Sequence, residues 1–595
     1  MNQAVKKSII NCHTHIFTGK CVPPYIAKTF LPWPLYKLLN IDFLLRVKEF
    51  LKFDQGRWKV WYEKWQNLAT KVNYQWKNIK VDLVRNDVYK FIKGVFNIWV
   101  LAHTFYILFG KQITEVLSHF ETVYPYLNQF FHTLTDANVF FPDPSTLVKA
   151  FFILFTLFFI KIGRKLIFSI GRYILPYLRL IPDSQTWKFL LRYYHIVRFA
   201  GYKESGSIFS KLKNQYDQNT GFVVLPMDLQ YMGAGNITAP GGKYDYQMNA
   251  LAKLKKNPKN IIYPFVFIDP RRIEEDKTFL ITKGNPDTGK VTLEPCFVKQ
   301  YIEENEFNGF KIYPALGYYP FDENLLLLWK YAADQELPIM THAIKGTVFY
   351  RGKKEKSWDH HPVFKESVGK NQPQKPLILP QSKNIDFSAN FTNPLNYLCL
   401  LDEKLFRLVV KNCKNEIKEF FGYTDDVTEL KHNLSHLKIC MGHYGGEDEW
   451  VKYLERDRLP QVSNIFREER DGFNFFPKEE KSIGDKNHEY LSTLWKSMDW
   501  FSIITNLIYH YPNVYADISY IIYQPTIYPL LKQVLTKEKH FKRVLYGTDF
   551  FVVRNHKSEK QLLAEAMANL TEAEFDQIAR ENPREFINTK NFVVD

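Results

Sequence analysis

The chain has 595 residues, 46% hydrophobic and 24% charged, with 49 Phe and 36 Tyr. That is enough apolar material for a large core; it excludes wholesale disorder and suits one large barrel with insertions, or two to three domains. The formal net charge of +16 belongs to residues 1–200, which hold 27 Lys+Arg against 11 Asp+Glu, whereas residues 201–595 hold 52 of each. A basic, aromatic N-terminal third points to an anionic surface, and its apolar runs fit lipid headgroups better than nucleic acid, so no nucleic-acid partner is expected. The six cysteines are scattered without a CxxC pair and read as reduced thiols of a cytosolic protein.

Residues Met1 to Ser8 are polar and basic and do not read as a signal peptide. Ser8–His15 reads as a first buried strand, within residues 1–22. Residues 23–201 form an aromatic, basic, mostly helical insertion. Inside it, Phe91–Gly110 is a 20-residue apolar run with one Lys and one His, and Leu147–Ile160 is a shorter run with Lys149 near its start. The first is just long enough to span a bilayer; the second needs Lys149 and Lys161 to snorkel. Residues 77–93 carry Lys77, Lys80, Arg85, Lys90 and Lys93, and residues 161–179 carry Lys161, Arg164, Lys165, Arg172 and Arg179. Between them, 111–148 has only Lys111 against Glu115, Glu121, Asp136 and Asp143. This is the positive-inside pattern with both flanks cytoplasmic. Two readings stand: a membrane hairpin (91–110 and 147–163) that spans or lies in the membrane and anchors a cytoplasmic catalytic domain through residues 91–179, or a soluble helical lid. On the first, Arg172–Arg179 lies along the interface as an amphipathic stretch.

Further strands are expected at Phe222–Asp228, Ile261–Asp269, Gly309–Tyr313 and Pro338–His342 within 202–344, and at Leu437–His443, Val514–Ile518 and Arg543–Asp549 within 437–595. Helical patterns such as Glu323–Gln335 and Thr493–Tyr511 lie between them. Strand-helix alternation with eight strands predicts an α/β fold, a TIM-like (β/α)8 barrel. Residues 345–436, rich in Lys, Pro and Asn, read as a loop-rich cap with helix near Asn396–Phe421.

In Asn11-Cys-His13-Thr-His15 the two histidines are two residues apart, so on a strand both face one side and can grip one ion. Three other apolar runs end in His342, His443 and Asp549. Catalytic groups of a parallel barrel sit at the C-terminal ends of its strands, and four His with one Asp suit zinc, manganese or iron. Each histidine alone is as well explained as a core or loop residue; their joint placement points to a metal.

With these pieces, the Gly309-Phe-Lys311-Ile-Tyr-Pro, Thr341-His342, Gly442-His443 and Gly547-Thr-Asp549 segments, and the closing Ile578–Phe586 stretch, the chain resembles the amidohydrolase superfamily, in the branch that includes metal-dependent decarboxylases. The resemblance covers Ser8–Thr18 and about Phe222–Phe586. It implies that His13, His15 and His342 ligate one divalent ion (zinc first, manganese or iron as alternatives), that Asp549 ligates it or contacts its water, and that His443 binds a second ion or acts as acid/base. It leaves Lys311 either carbamylated between two metals or paired with a carboxylate, with one metal preferred. Arg271 and Arg272, after Phe-Ile-Asp269-Pro, either bind an anionic substrate or form a solvated loop pair. Tyr318 and Tyr319 are candidates to line the pocket. Asp517 either fixes an imidazole tautomer or is an ordinary strand-end residue. The expected function is metal-assisted hydrolysis of an amide, ester, lactone or similar bond in a small-molecule substrate; the alternatives are non-oxidative decarboxylation on the same barrel and a non-catalytic membrane-bound scaffold.

Overall fold

Apolar runs buried on both faces suit parallel strands covered by helices, and all eight expected runs carry one in the computed structural model. They are β1 (Ile10–Thr14), β2 (Gly221–Val224), β3 (Ile262–Phe267), β4 (Gly309–Lys311), β5 (Ile339–Met340), β6 (Ile439–Met441), β7 (Val514–Asp517) and β8 (Val544–Leu545). The described residues are 7–29, 35–38, 40, 43–44, 86–117, 119, 124–137, 139, 145–159, 199, 201–237, 244–346, 350–368, 373–455 and 472–587.

The eight strands pair in chain order, every neighbour parallel. The ends meet: Cys12 N–H donates to Tyr546 O at 2.9 Å and Asp549 N–H to His13 O at 2.8 Å. The sheet is thus a nearly closed parallel barrel with α/β alternation. Strand periodicity sorts its residues. Ile10, Cys12, Val223, Tyr263, Phe265 and Tyr515 belong to one small apolar cluster with Phe586 and Ile587, whereas Phe222, Val224, Ile262, Val266 and Val514 pack into the large cluster with the helices.

The ladders are shorter than the apolar runs. His15, His342, His443 and Asp549 lie beyond them, where the chain turns; His443 and Asp549 have φ of 67° and 60°, outside the strand region. The expected helix at Glu323–Gln335 forms over Glu323–Asp334, with Asp322 capping Asn324 N–H and Leu325, Leu328, Trp329 and Ala332 buried. The expected single helix over Thr493–Tyr511 is instead two, Asp485–Ser497 and Trp500–His510, because Asp499 caps Ser502 N–H and starts a new helix.

The 345–436 segment is more regular than its composition suggests. It contains an antiparallel hairpin, His360–Glu366 with Lys375–Ile378, and helices Asn384–Thr392, Glu403–Lys411 and Asn415–Phe421. Pro362 and Pro376 sit in these strands without penalty because a two-stranded ribbon is all edge.

Residues 49–188 form a separate compact unit from 1–48 and 189–595. Its described helices are α1 (Asp87–Leu117), α2 (Tyr124–Asp136) and α3 (Thr146–Phe159). The predicted interfacial stretch Arg172–Arg179 lies outside the described residues.

Candidate metal centre

The end of β1 delivers two imidazoles with their outer nitrogens already engaged. His13 Nδ1–H donates to Asp517 Oδ2 at 2.9 Å, and His15 Nδ1–H donates to Leu225 O at 2.8 Å. Both Nε2 atoms therefore keep a lone pair. They converge on Asp549 Oδ1, 3.2 Å from His15 Nε2 and 3.9 Å from His13 Nε2. The ligand atoms of His13, His15 and Asp549 all lie within 4.8 Å of one another, as do those of His13, His443 and Asp517.

A second chain of hydrogen bonds orients the remaining pair. His443 Nε2 lies 3.0 Å from His342 Nδ1, and His443 Nδ1 lies 2.9 Å from Ser519 Oγ. Ser519 Oγ–H in turn bonds Asp517 Oδ1, which also accepts from the backbone N–H of His443 and of Ser519 at 3.0 Å each. Donors and acceptors match throughout only if His443 carries its proton on Nδ1 and His342 on Nδ1, an assignment made from the network. His342 Nε2 is then a free lone pair as well. The Nε2 atoms of His13 and His342 are buried without a hydrogen-bond partner.

Burial and the neighbouring Lys311 and His15 hold His13 well below the usual imidazole range, and burial with His443 and Lys311 does the same for His342. Burial, then His13, pushes His443 down to about 4. All three rings are neutral at neutral pH, the form that can bind a cation. Burial also lowers Lys311 to about 8, against the pull of Asp517 and Asp549; its ammonium donates to Thr341 O at 3.2 Å.

The local sequence explains the close assembly. A Cβ on Gly442 would lie 2.5 Å from Thr341 O, and one on Gly547 would lie 2.9 Å from His13 Cβ, so neither Gly-His443 nor Gly-Thr-Asp549 tolerates a side chain there. His443, Tyr520 and Asp549 all adopt positive φ at the ends of β6, β7 and β8, a concentration of backbone strain at one place. Asn11 braces the same corner: its side-chain N–H donates to Thr548 Oγ1 at 2.8 Å and Tyr216 OH at 3.1 Å.

Of the predicted residues, His13, His15, His342, His443, Asp549 and Lys311 lie in this one cluster. His342 reaches it through His443 and is not in the 4.8 Å groups found among the described residues. Arg271 and Arg272 are each paired with a buried carboxylate, so the picture of a solvated loop pair gives way to half-buried ion pairs, with Arg272 Nη2 left without a partner. Arg271 grips Asp269 with two bonds, 2.8 and 2.6 Å, and donates to Leu316 O at 2.9 Å. Arg272 Nε donates to buried Asp228. Tyr318 OH accepts from Tyr313 N–H at 2.8 Å and donates to Ile268 O at 3.2 Å, a bracing role. Tyr319 OH is buried, and its ring packs 4.9 Å from Phe321. Asp517 is the hub of the cluster. Ser519 escaped the sequence reading, though its place two residues after Asp517 on the same strand end was the available signal. Tyr313, whose ring lies 4.2 Å from that of His342, stands in the Gly309-Phe-Lys311-Ile-Tyr-Pro segment but was given no role there.

The residues fit a cation. Two imidazole nitrogens, of His13 and His15, converge with the Asp549 carboxylate, the Nε2 atoms of His13 and of His342 are orphaned, and each ring is held from behind. Among curated proteins, none matches the sequence. Solved structures similar to it include an amidohydrolase from Burkholderia multivorans (8% identity, 66% of this chain and 92% of that one, TM-score 0.32) and 4-oxalomesaconate hydratase from Rhodopseudomonas palustris (12%, 64% and 80%, 0.31). A variant of 5-carboxyvanillate decarboxylase from Novosphingobium aromaticivorans with bound manganese is similar at 11% identity, over 65% and 85% of the two chains, with a TM-score of 0.33. At these identities and scores the likeness does not extend to activity. The family model described as Amidohydrolase matches residues 495–588, a shorter stretch than the sequence resemblance but one that carries β7, β8, Asp517 and Asp549, so this part of the eight-stranded parallel barrel is similar to the amidohydrolases.

Proposed function

We propose that the chain is a metal-dependent hydrolase that holds one divalent cation on His13, His15, His342 and Asp549 and cleaves an amide, ester, lactone or similar bond of a small substrate. The observation that carries this is the buried, unpartnered His13 Nε2 beside His15 Nε2 and the Asp549 carboxylate, with a second orphaned imidazole nitrogen, His342 Nε2, on the ring bonded to His443. A cation held there supplies an activated water and a polarising contact for the scissile carbonyl. Asp549, the one carboxylate in hydrogen-bond reach of His15 Nε2 among the described residues, takes the nucleophile's proton and returns it to the leaving group. His443 Nε2 accepts from His342 Nδ1–H and so fixes the ring whose Nε2 is left free.

Metal analysis of the purified full chain tests the reading. It predicts about one equivalent of zinc, manganese or iron, removed by a chelator together with turnover of amide, ester or lactone substrates and restored by adding zinc or manganese. Less than about a tenth of an equivalent, with no gain when metal is added, overturns it. Release of carbon dioxide from a carboxylic acid without hydrolysis assigns decarboxylation instead.

A further inference from the structure

In the separate unit, α1 turns apolar side chains outward. Val88, Phe91, Ile98, Leu101, Phe105 and Phe109 are 46–72% exposed. With the other exposed positions of α1 they cover roughly two thirds of its circumference at ~100° per residue. The polar groups turn the other way. Thr104 Oγ1 bonds Val100 O at 2.8 Å and Thr156 Oγ1 at 2.6 Å, Trp99 Nε1–H donates to Val139 O at 2.8 Å, and the His103 ring stacks 4.6 Å from that of Phe152. A helix pair in water buries its apolar face; this pair hides its polar atoms and shows its apolar ones. The stretch Asp87–Gly110 is 24 residues with a mean hydropathy of 1.4. At 1.5 Å per residue it is ~36 Å long, against a hydrocarbon core of ~30 Å.

Topology and charge add independent constraints. The insertion leaves the barrel after β1 and returns at β2, its hydrogen-bonded neighbour, so it can cross a membrane only an even number of times. Residues 77–93 carry five Lys and Arg against Asp82 and Asp87, and residues 161–179 carry five with no acid, whereas 111–148 carries one Lys against four acids. Both basic flanks belong on the barrel's side and the acidic connector on the other.

We propose that α1 and α3 are inserted as a hairpin in a lipid bilayer, whose acyl chains cover the outward faces and whose anionic headgroups meet the basic flanks. Flotation of the full chain with phosphatidylcholine–phosphatidylglycerol vesicles after an alkaline carbonate wash tests this. Wild type should float; a variant carrying Ile98→Asp, Leu101→Asp and Phe105→Asp should stay at the bottom with its metal content unchanged. Wild type that stays behind, dissolved or aggregated, overturns the proposal, as does a triple variant that still floats. A soluble wild-type dimer that the triple variant dissociates also overturns it, by assigning the face to a second copy. In intact cells, Ala137→Cys should react with a membrane-impermeant maleimide from outside; protection until lysis overturns the topology.

Discussion

Asp517 lies within 4.8 Å of ligand atoms of His13 and His443, and its two oxygens orient both rings. One oxygen orients His13; the other holds the backbone and, through Ser519, the ring of His443. Asp517→Asn exchanges an acceptor for an amide and disturbs the proton positions along that chain. It should weaken divalent-metal affinity by roughly 10–100-fold, measured by competition with a chelating dye, with little change in far-UV signal. Ser519→Ala breaks only the branch to His443 and should cost less; equal losses in both variants would contradict the hub assignment. Histidines at strand ends were legible in the sequence because side-chain alternation and strand termini are local properties. The hydrogen bond from His13 to Asp517 was not, because it joins residues 504 positions apart.

At the scale of elements, short signals competed and the caps won. Asp499 divides what reads as one helical pattern, and it caps a helix whose residues Trp500 through Ile508 are all buried. Asp499→Ala should therefore lower stability by about 1 kcal/mol, seen as a reduced Tm, whereas Asp499→Asn should stay close to wild type because Asn caps nearly as well. If both variants melt alike, the cap is not what starts that helix. The hairpin at His360–Glu366 was missed for the converse reason: prolines and charges of an edge ribbon look like loop.

At the scale of the molecule, buried neutral histidines make stability depend on pH. His361 is fully buried in the cap; Val363 and Phe364 N–H donate to its Nδ1, its Nε2–H donates to Asn396 Oδ1 at 2.9 Å, and burial lowers it from 6.5 to about 3. Its folded value lies below its unfolded one, so the fold holds the neutral ring. That stabilisation is present above pH 6.5 and is lost as pH falls towards 3. His361→Asn keeps an acceptor for the two N–H groups and removes the titration. Its Tm should start lower, for loss of the ring stacked 4.3 Å from Phe364, but fall less than the wild type's between neutral and about pH 5. Parallel Tm curves for the two proteins would show that other groups govern acid unfolding.

By itself the sequence determined the order of strands, the α/β class and the residue types at the strand ends, because apolar runs and their periodicity report burial directly. It also placed the net charge in one third of the chain. Only the tertiary structure decided which nitrogens are free, which arginines are already paired with carboxylates, and which face of α1 is left uncovered. Those facts arise where distant segments meet, and a lone pair, an ion pair or an exposed face is defined by its neighbours in space rather than by its neighbours in the chain.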